Sequence, residues 1–366
     1  MNNVLTGAAM GAALTTGGVY APDIILAQFN FTDFTMLQTF LSAAAGSTLL
    51  VTTFQTLHLT TLPPRPPSTL TTFSPTTCPT SPTGLTLYSG NILGGSLLGI
   101  GMAVSGACPG TVLAQLGVGV TSGRYALLGA VLGGVAWAGL ARGKKEGGAC
   151  AVGSGSSVGG GGYGTVGADK GGVAGAAGGD GVGAGEGKSK PVETLYEALG
   201  VSRGALLVGL EAVLVAAIAA SVKYTNARAG EQRGIPPYLA GLAIAAAQLV
   251  SMVLRGTLLG ASTAFEELGG WVWGSRKYAN VLFSLGMVGG AWLISQAVPV
   301  LRPVTDVAIS PVKSVLGGFL IVFGARMAGG CTSGHGISGL SLMSISSFLT
   351  AAAIFGAGGL TGLLMD

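Results

Sequence analysis

Residues 204–222, GALLVGLEAVLVAAIAASV, run for nineteen positions with a single charged side chain, Glu211. A helix needs about 20 predominantly apolar residues to cross the hydrocarbon core of a bilayer. Residues 280–301, NVLFSLGMVGGAWLISQAVPVL, form a second such run with no charge at all. Segments of this kind exclude a water-soluble globule. The whole chain agrees, being 49% hydrophobic and 9% charged, where soluble domains carry about 25% charged residues. The lipid bilayer is therefore the expected surrounding, and no stretch shows the two-residue alternation of outer-membrane strands. A formal net charge of +4, spread along the chain, is too weak and scattered for a nucleic-acid surface.

The expected class is an all-α integral membrane protein. In the first half, apolar segments occupy 4–20, 35–57, 88–107, a short piece 111–120, and 124–140. A Pro- and Thr-rich stretch, 61–84, interrupts them and reads as a solvent-exposed loop. Residues 142–190 are dominated by Gly and cannot bury a core, so they read as a flexible linker. It separates a first membrane repeat, 1–141, from a second, 191–366. The second offers segments at 201–222, 237–260, 279–301, 312–330, a short piece 336–345, and 347–365. Roughly eight to ten membrane segments are expected.

Cys78, Cys108, Cys150 and Cys331 form no C-x-x-C pair and have no His at finger spacing. Neither a metal site nor a disulfide framework can be read from them. No cofactor is expected, and no nucleotide motif marks an energy source.

Two of these cysteines are related by a repeat. GGSLLGIGMAVSGACPG (94–110) aligns without gaps on GGFLIVFGARMAGGCTS (317–333), and Gly101/Gly324, Gly106/Gly329 and Cys108/Cys331 coincide at an offset of 223. An apolar helix that stops at Cys, passes Gly or Pro and restarts as a half-helix resembles the broken helices of transporters. This predicts two pseudo-symmetric repeats with broken or re-entrant helices around a central conduit. Irregular backbone at membrane depth is tolerated only where protein or a wet cavity satisfies its N–H and C=O groups. Each restarting half-helix aims free N–H groups at the path, an arrangement that suits an anion. The candidate path residues are Cys108, Pro109 and Gly110 in the first half, and Cys331, Thr332, Ser333, Gly334 and His335 in the second. Arg326, one and a half turns before Cys331, either attracts the anion or pairs with a carboxylate such as Glu211. His335 either contacts the anion or hydrogen-bonds the turn. A thiol is a soft, weak donor whose natural partner is sulfur.

FGARMAGGCTSGHGISG (323–339) resembles the signature of the YeeE/YedE sulphur-transport family, and GIGMAVSGACPGT (99–111) resembles its first-half counterpart. The resemblance spans both halves apart from 61–84 and the Gly-rich stretch. It implies a thiosulfate transporter rather than an enzyme, in which Cys108 and Cys331 pass the ion through a narrow constriction by S–H to sulfur hydrogen bonds. Both thiols must then be protonated, because a dianion is repelled by thiolates. The family pattern has a further Cys near the end of the first helix, where this chain reads TTGGVYAP (15–22), with Val19 and Tyr20. GTLLGAS (256–262) is the candidate second-half match to that segment, which would bring Ser262 or Thr263 near the path. A rival reading is a membrane-embedded thiol enzyme or persulfide carrier, in which Cys331 takes a sulfane sulfur and hands it to a soluble partner.

Overall fold

A computed structural model describes residues 1–69, 84–146, 194–226, 234–301 and 309–365. Cys78, Cys150 and 147–193 lie outside the described residues, and with them most of the stretch read as a linker. The first part of the chain forms α1 (Asn2–Thr16), α2 (Pro22–Phe29), α3 (Thr35–Thr56), α4 (Ser89–Ser105), α5 (Pro109–Val118) and α6 (Thr121–Glu146). Beyond the undescribed stretch come α7 (Leu195–Leu199), α8 (Arg203–Asn226), α9 (Pro237–Arg255), α10 (Ser262–Val272), α11 (Ala279–Ala297), α12 (Pro311–Ala328), a π-helical turn Ser333–Gly339, and α13 (Ile345–Met365). Eight helical runs among the described residues are long and apolar enough to span a bilayer, with α4 and α5 making one run through the Cys108 turn. The chain is a multi-pass, all-α membrane protein.

Several elements depart from the expectation. Helices α2 and α10 fall in stretches read as connections; each is short and begins at a reversal in the chain. The segment expected at 237–260 stops at Arg255, because Gly256 takes φ 65° and turns the chain. The short piece expected at 336–345 is instead the π-turn beginning at Ser333. Helix α6 continues through Glu146, into the stretch read as linker. The described part of the Pro-rich stretch, 61–69, is not a free loop: Leu62 is buried, and Ser68 is tied to both α4 and α12.

Helices pack closely because their contact positions lack side chains, which in lipid substitutes for the missing hydrophobic drive. Helices α4 and α12 cross at glycines. A Cβ on Gly94 would lie 2.7 Å from Gly324 O, and one on Gly101 2.8 Å from Gly317 O. Each glycine thus meets the counterpart of the other across the 223 offset. Elsewhere α1 packs on α11 and α3 on α9, while α6 packs on α12 and α13 on α4. Helix α8 leans on α3 and otherwise exposes apolar side chains such as Val208 and Val213, the surface a lipid-facing helix presents.

Candidate functional site

Helix α4 ends at Gly106, with φ 60°, and α12 ends at Gly329, with φ 83°. This left-handed conformation is the commonest way to stop a helix, and only Gly adopts it without strain. Each stop frees the following residues to turn at membrane depth and delivers a cysteine to the centre. Cys108 and Cys331 are both buried, both reduced, and belong to the same apolar core.

Cys108 is the N-cap of α5, and Pro109 takes the first helical position, where a missing N–H costs nothing. Its backbone N–H donates to Thr111 Oγ1 at 2.7 Å, and the Thr111 N–H donates to its sulfur at 3.4 Å. This reciprocal capping box satisfies two of the helix's orphan donors from within the turn. Gln115, one turn on, donates to Tyr20 O and Gly106 O, both at 2.9 Å, and so binds the 17–21 segment to the Cys108 turn.

Cys331 is held differently. Its sulfur lies 3.3 Å from Ser333 Oγ, and the backbone of Gly334, Ala261 and Ser262 lies beside it. Segment 256–262 therefore does reach the cysteine, through its backbone. Ser338 Oγ donates to Leu259 O at 2.8 Å and fastens that segment in place. Ser338 stands at the 223 offset from Gln115, and each donates to a connecting segment of its own half, Gln115 to the one between α1 and α2 and Ser338 to the one between α9 and α10.

Cys108, Gly110, Thr111, Thr332 and Ser333 all border one cavity of about 40 Å³. The remaining wall comes from both halves: Met10 and Leu14 of α1, Val19, Met36, Thr39 and Phe40 of the first, Ile244 and Ile337 of the second. It is small, largely apolar, and holds a few water-sized bodies. Thr332 Oγ1 donates to Met102 Sδ at 3.2 Å, joining the second turn to α4.

His335 and Arg326 are committed inside the protein framework. His335 Nε2 contacts Ala328 O at 3.1 Å and Nδ1 contacts Ser347 Oγ at 3.0 Å, so both ring nitrogens clasp the turn. Arg326 is buried and ion-paired with Glu266 of α10 rather than with Glu211. The adjacent Glu267 caps α11, accepting from Asn280 N at 2.8 Å and Val281 N at 3.1 Å. Arg255 reaches Asn280 Oδ1 at 3.2 Å and lies over the Phe283 ring.

The 256–262 match pointed to Ser262 near the path, but the backbone of Ala261 beside Cys331 and the Arg65 side chain escaped the sequence reading. Backbone groups leave no composition signal. Arg65 did leave one, as a lone cation in LPPRPPS (62–68), where flanking prolines hold the chain extended.

The model of the family described as Sulphur transport matches residues 16–144 and 146–361. The chain belongs to that family. A probable transporter from Xylella fastidiosa strain Temecula1 is 33% identical over 119 residues, covering 32% of this chain and 84% of the relative. A second probable transporter, from strain 9a5c of the same organism, is 32% identical over 119 residues with the same coverage. Membership in a sulphur-transport family agrees with a multi-pass protein whose two broken helices converge at its centre.

Proposed function

We propose that the chain carries thiosulfate, or a closely related small sulfur anion, through the protein at the meeting of the Cys108 and Cys331 turns. The observation that carries this reading is the cavity walled by both halves: Cys108 lines it from the first, Thr332 and Ser333 line it from the second, and Ser333 Oγ lies 3.3 Å from the buried Cys331 sulfur. The Cys331 thiol, buried beside Ser333 Oγ, offers a soft, weak S–H donor to an incoming sulfur atom. Protonated thiols let a dianion approach without like-charge repulsion. The apolar remainder of the wall makes a bare passage costly for any ion. The softest wall, Met10 and Met36, has the rotational freedom to yield as the anion passes.

The exchanged glycine contacts of α4 and α12, and the paired packing of α1 on α11 and α3 on α9, support two related repeats at 1–141 and 191–366. An isologous contact has this form, with residue i meeting j and j meeting i. On this reading the Gly-rich stretch is a tether. Deleting 146–188 is expected to leave uptake intact, and complete loss in a chain that still reaches the membrane sinks the tether reading.

The deciding experiment is uptake of radiolabelled thiosulfate into liposomes bearing the full chain, with sulfate as the control anion. Thiosulfate uptake that fails in Cys108→Ala and in Cys331→Ala, with sulfate excluded, is the expected result. A folded intact chain that moves no thiosulfate overturns it. The Ser333 hydroxyl 3.3 Å from the Cys331 sulfur also suits a thiolate, which favours the persulfide-carrier reading as a second possibility. There the thiolate attacks the sulfane sulfur, forms a Cys331 persulfide and releases sulfite. A mass gain of one sulfur on Cys331 without uptake selects that reading.

A further inference from the structure

Segment 61–69 crosses the second Cys turn as a strap. Arg65 O accepts from Ser344 Oγ and Ser346 Oγ, both at 2.9 Å. Ser68 N donates to Asn91 Oδ1 at 2.7 Å, and Ser68 Oγ donates to Met327 O at 2.7 Å. These ties fix the Arg65 backbone, and its side chain reaches inward, where Nη1 donates to Gly329 O at 3.0 Å.

The guanidinium fits because three glycines make room. A Cβ on Gly330 would lie 2.6 Å from Nη1, one on Gly339 3.3 Å from Cδ, and one on Gly334 3.2 Å from Nη2. That same position on Gly334 is 3.6 Å from Cys331 Sγ, so guanidinium and thiol border one small space. At the 223 offset the first half has Ala107, Thr111 and Leu116 instead. The cradle is a property of the second turn alone.

We propose that Arg65 is the oxyanion-binding residue at the Cys331 end of the path. Its guanidinium holds the oxygens of the sulfur anion while the terminal sulfur meets the Cys331 thiol. The inference rests on the reading of the Cys331 turn as part of that path. A guanidinium presents a planar fork of N–H donors suited to paired oxygens, and such charge-assisted bonds exceed neutral ones in strength. Arg65 is partly exposed whereas Cys331 is buried, so the ion exchanges some hydration for the guanidinium before it reaches the dry cavity. Recognition then has two points: charge selects an oxyanion and the thiol selects one with an outer sulfur. Sulfate satisfies only the first.

The test compares the intact full chain, Arg65→Gln, Arg65→Lys and the strap variant Ser344→Ala/Ser346→Ala in liposomes, measuring thiosulfate uptake against concentration and ionic strength. Arg65→Gln is expected to raise the half-saturating concentration about tenfold or more and to flatten the salt dependence. Arg65→Lys, which keeps charge but loses the fork, is expected to raise it about threefold. The strap variant is expected to lower thermal stability with the half-saturating concentration unchanged. An Arg65→Gln chain that loses only maximal rate, as the strap variant would, makes Arg65 a structural tie and overturns the inference. Should Arg65→Gln fail to fold, an unchanged half-saturating concentration in Arg65→Lys overturns it equally. Intact chain that takes up no thiosulfate, or uptake indifferent to Cys331→Ala, removes the path itself and this inference with it.

Discussion

The Cys108 turn is closed by its own residues, whereas the Cys331 turn is completed by distant ones. Thr111 supplies both partners of the first, through its hydroxyl and its N–H. The second draws on Ala261 and Ser262 from the start of α10, with Arg65 and its strap lying alongside. Their surroundings differ in the same sense. Cys108 borders a cavity walled by Leu14, Val19 and Met36 together with the hydroxyl residues Thr39, Thr111, Thr332 and Ser333, while Cys331 has hydroxyl, amide and guanidinium neighbours. Two segments with matching glycines and cysteines thus hold their thiols by different means. The repeat fixes where a thiol stands, and the elements packed on it decide what the thiol meets.

The largest expected effect breaks this comparison at the thiols. Cys331→Ala removes the centre of a donor cluster as well as the S–H, and is expected to reduce thiosulfate uptake about 100-fold or more. Cys108→Ala removes a weak donor from an apolar wall and is expected to cost about tenfold. Initial uptake rates in liposomes at matched protein density check both. Serine replacements sharpen the result, because a hydroxyl keeps a donor but loses the soft sulfur. Equal losses at the two positions, or a Cys331→Ser chain with intact rate, would remove the functional asymmetry.

The same contrast explains what the sequence could disclose. The expected segments 88–107 and 312–330 correspond to α4 and α12, because long apolar runs state their own helicity and the glycines at 106 and 329 mark their ends. Helices α2 and α10 were not legible: at eight and eleven residues they are too short to be marginally stable alone, and packing sustains them. The strap at 61–69 reads as a solvent-exposed loop by composition. What holds it is a set of hydrogen bonds to Asn91, Met327, Ser344 and Ser346, whose proximity is created only when α4, α12 and α13 assemble. Arg326 required the same knowledge, since its partner Glu266 lies on one of the short helices. The self-contained turn was thus more legible than the one completed from elsewhere.

A smaller effect is expected at the helix stops. Ala at either glycine must adopt the left-handed region, at a cost of about 1 to 2 kcal/mol. Gly329→Ala pays only this, because nothing lies within 4 Å of its added Cβ. Gly106→Ala also brings a Cβ to 2.9 Å from Pro22 Cβ and 3.1 Å from Pro22 O. Thermal unfolding in detergent should therefore rank Gly106→Ala as the less stable of the two. A reversed order would mean that the second turn, despite its open surroundings, tolerates less movement than the first.

The smallest effect separates a cap from a contact. Thr111→Val keeps the shape of the side chain but leaves the buried Cys108 N–H without its 2.7 Å acceptor, and α5 without the returning half of its capping box. A lost cap of this kind costs about 1 kcal/mol, which for a chain of this size is a fall of about 1 °C in midpoint. Ser333→Ala removes one weak contact to a sulfur and breaks no helix cap, so its midpoint should barely move. Uptake should reverse the order: Ser333 borders the cavity and touches the Cys331 sulfur, so its loss is expected to slow transport more than the loss of Thr111's hydroxyl. If Thr111→Val proves the slower transporter while Ser333→Ala proves the less stable, the first turn carries the transport chemistry and the second is scaffold, the opposite of the division argued from their neighbours.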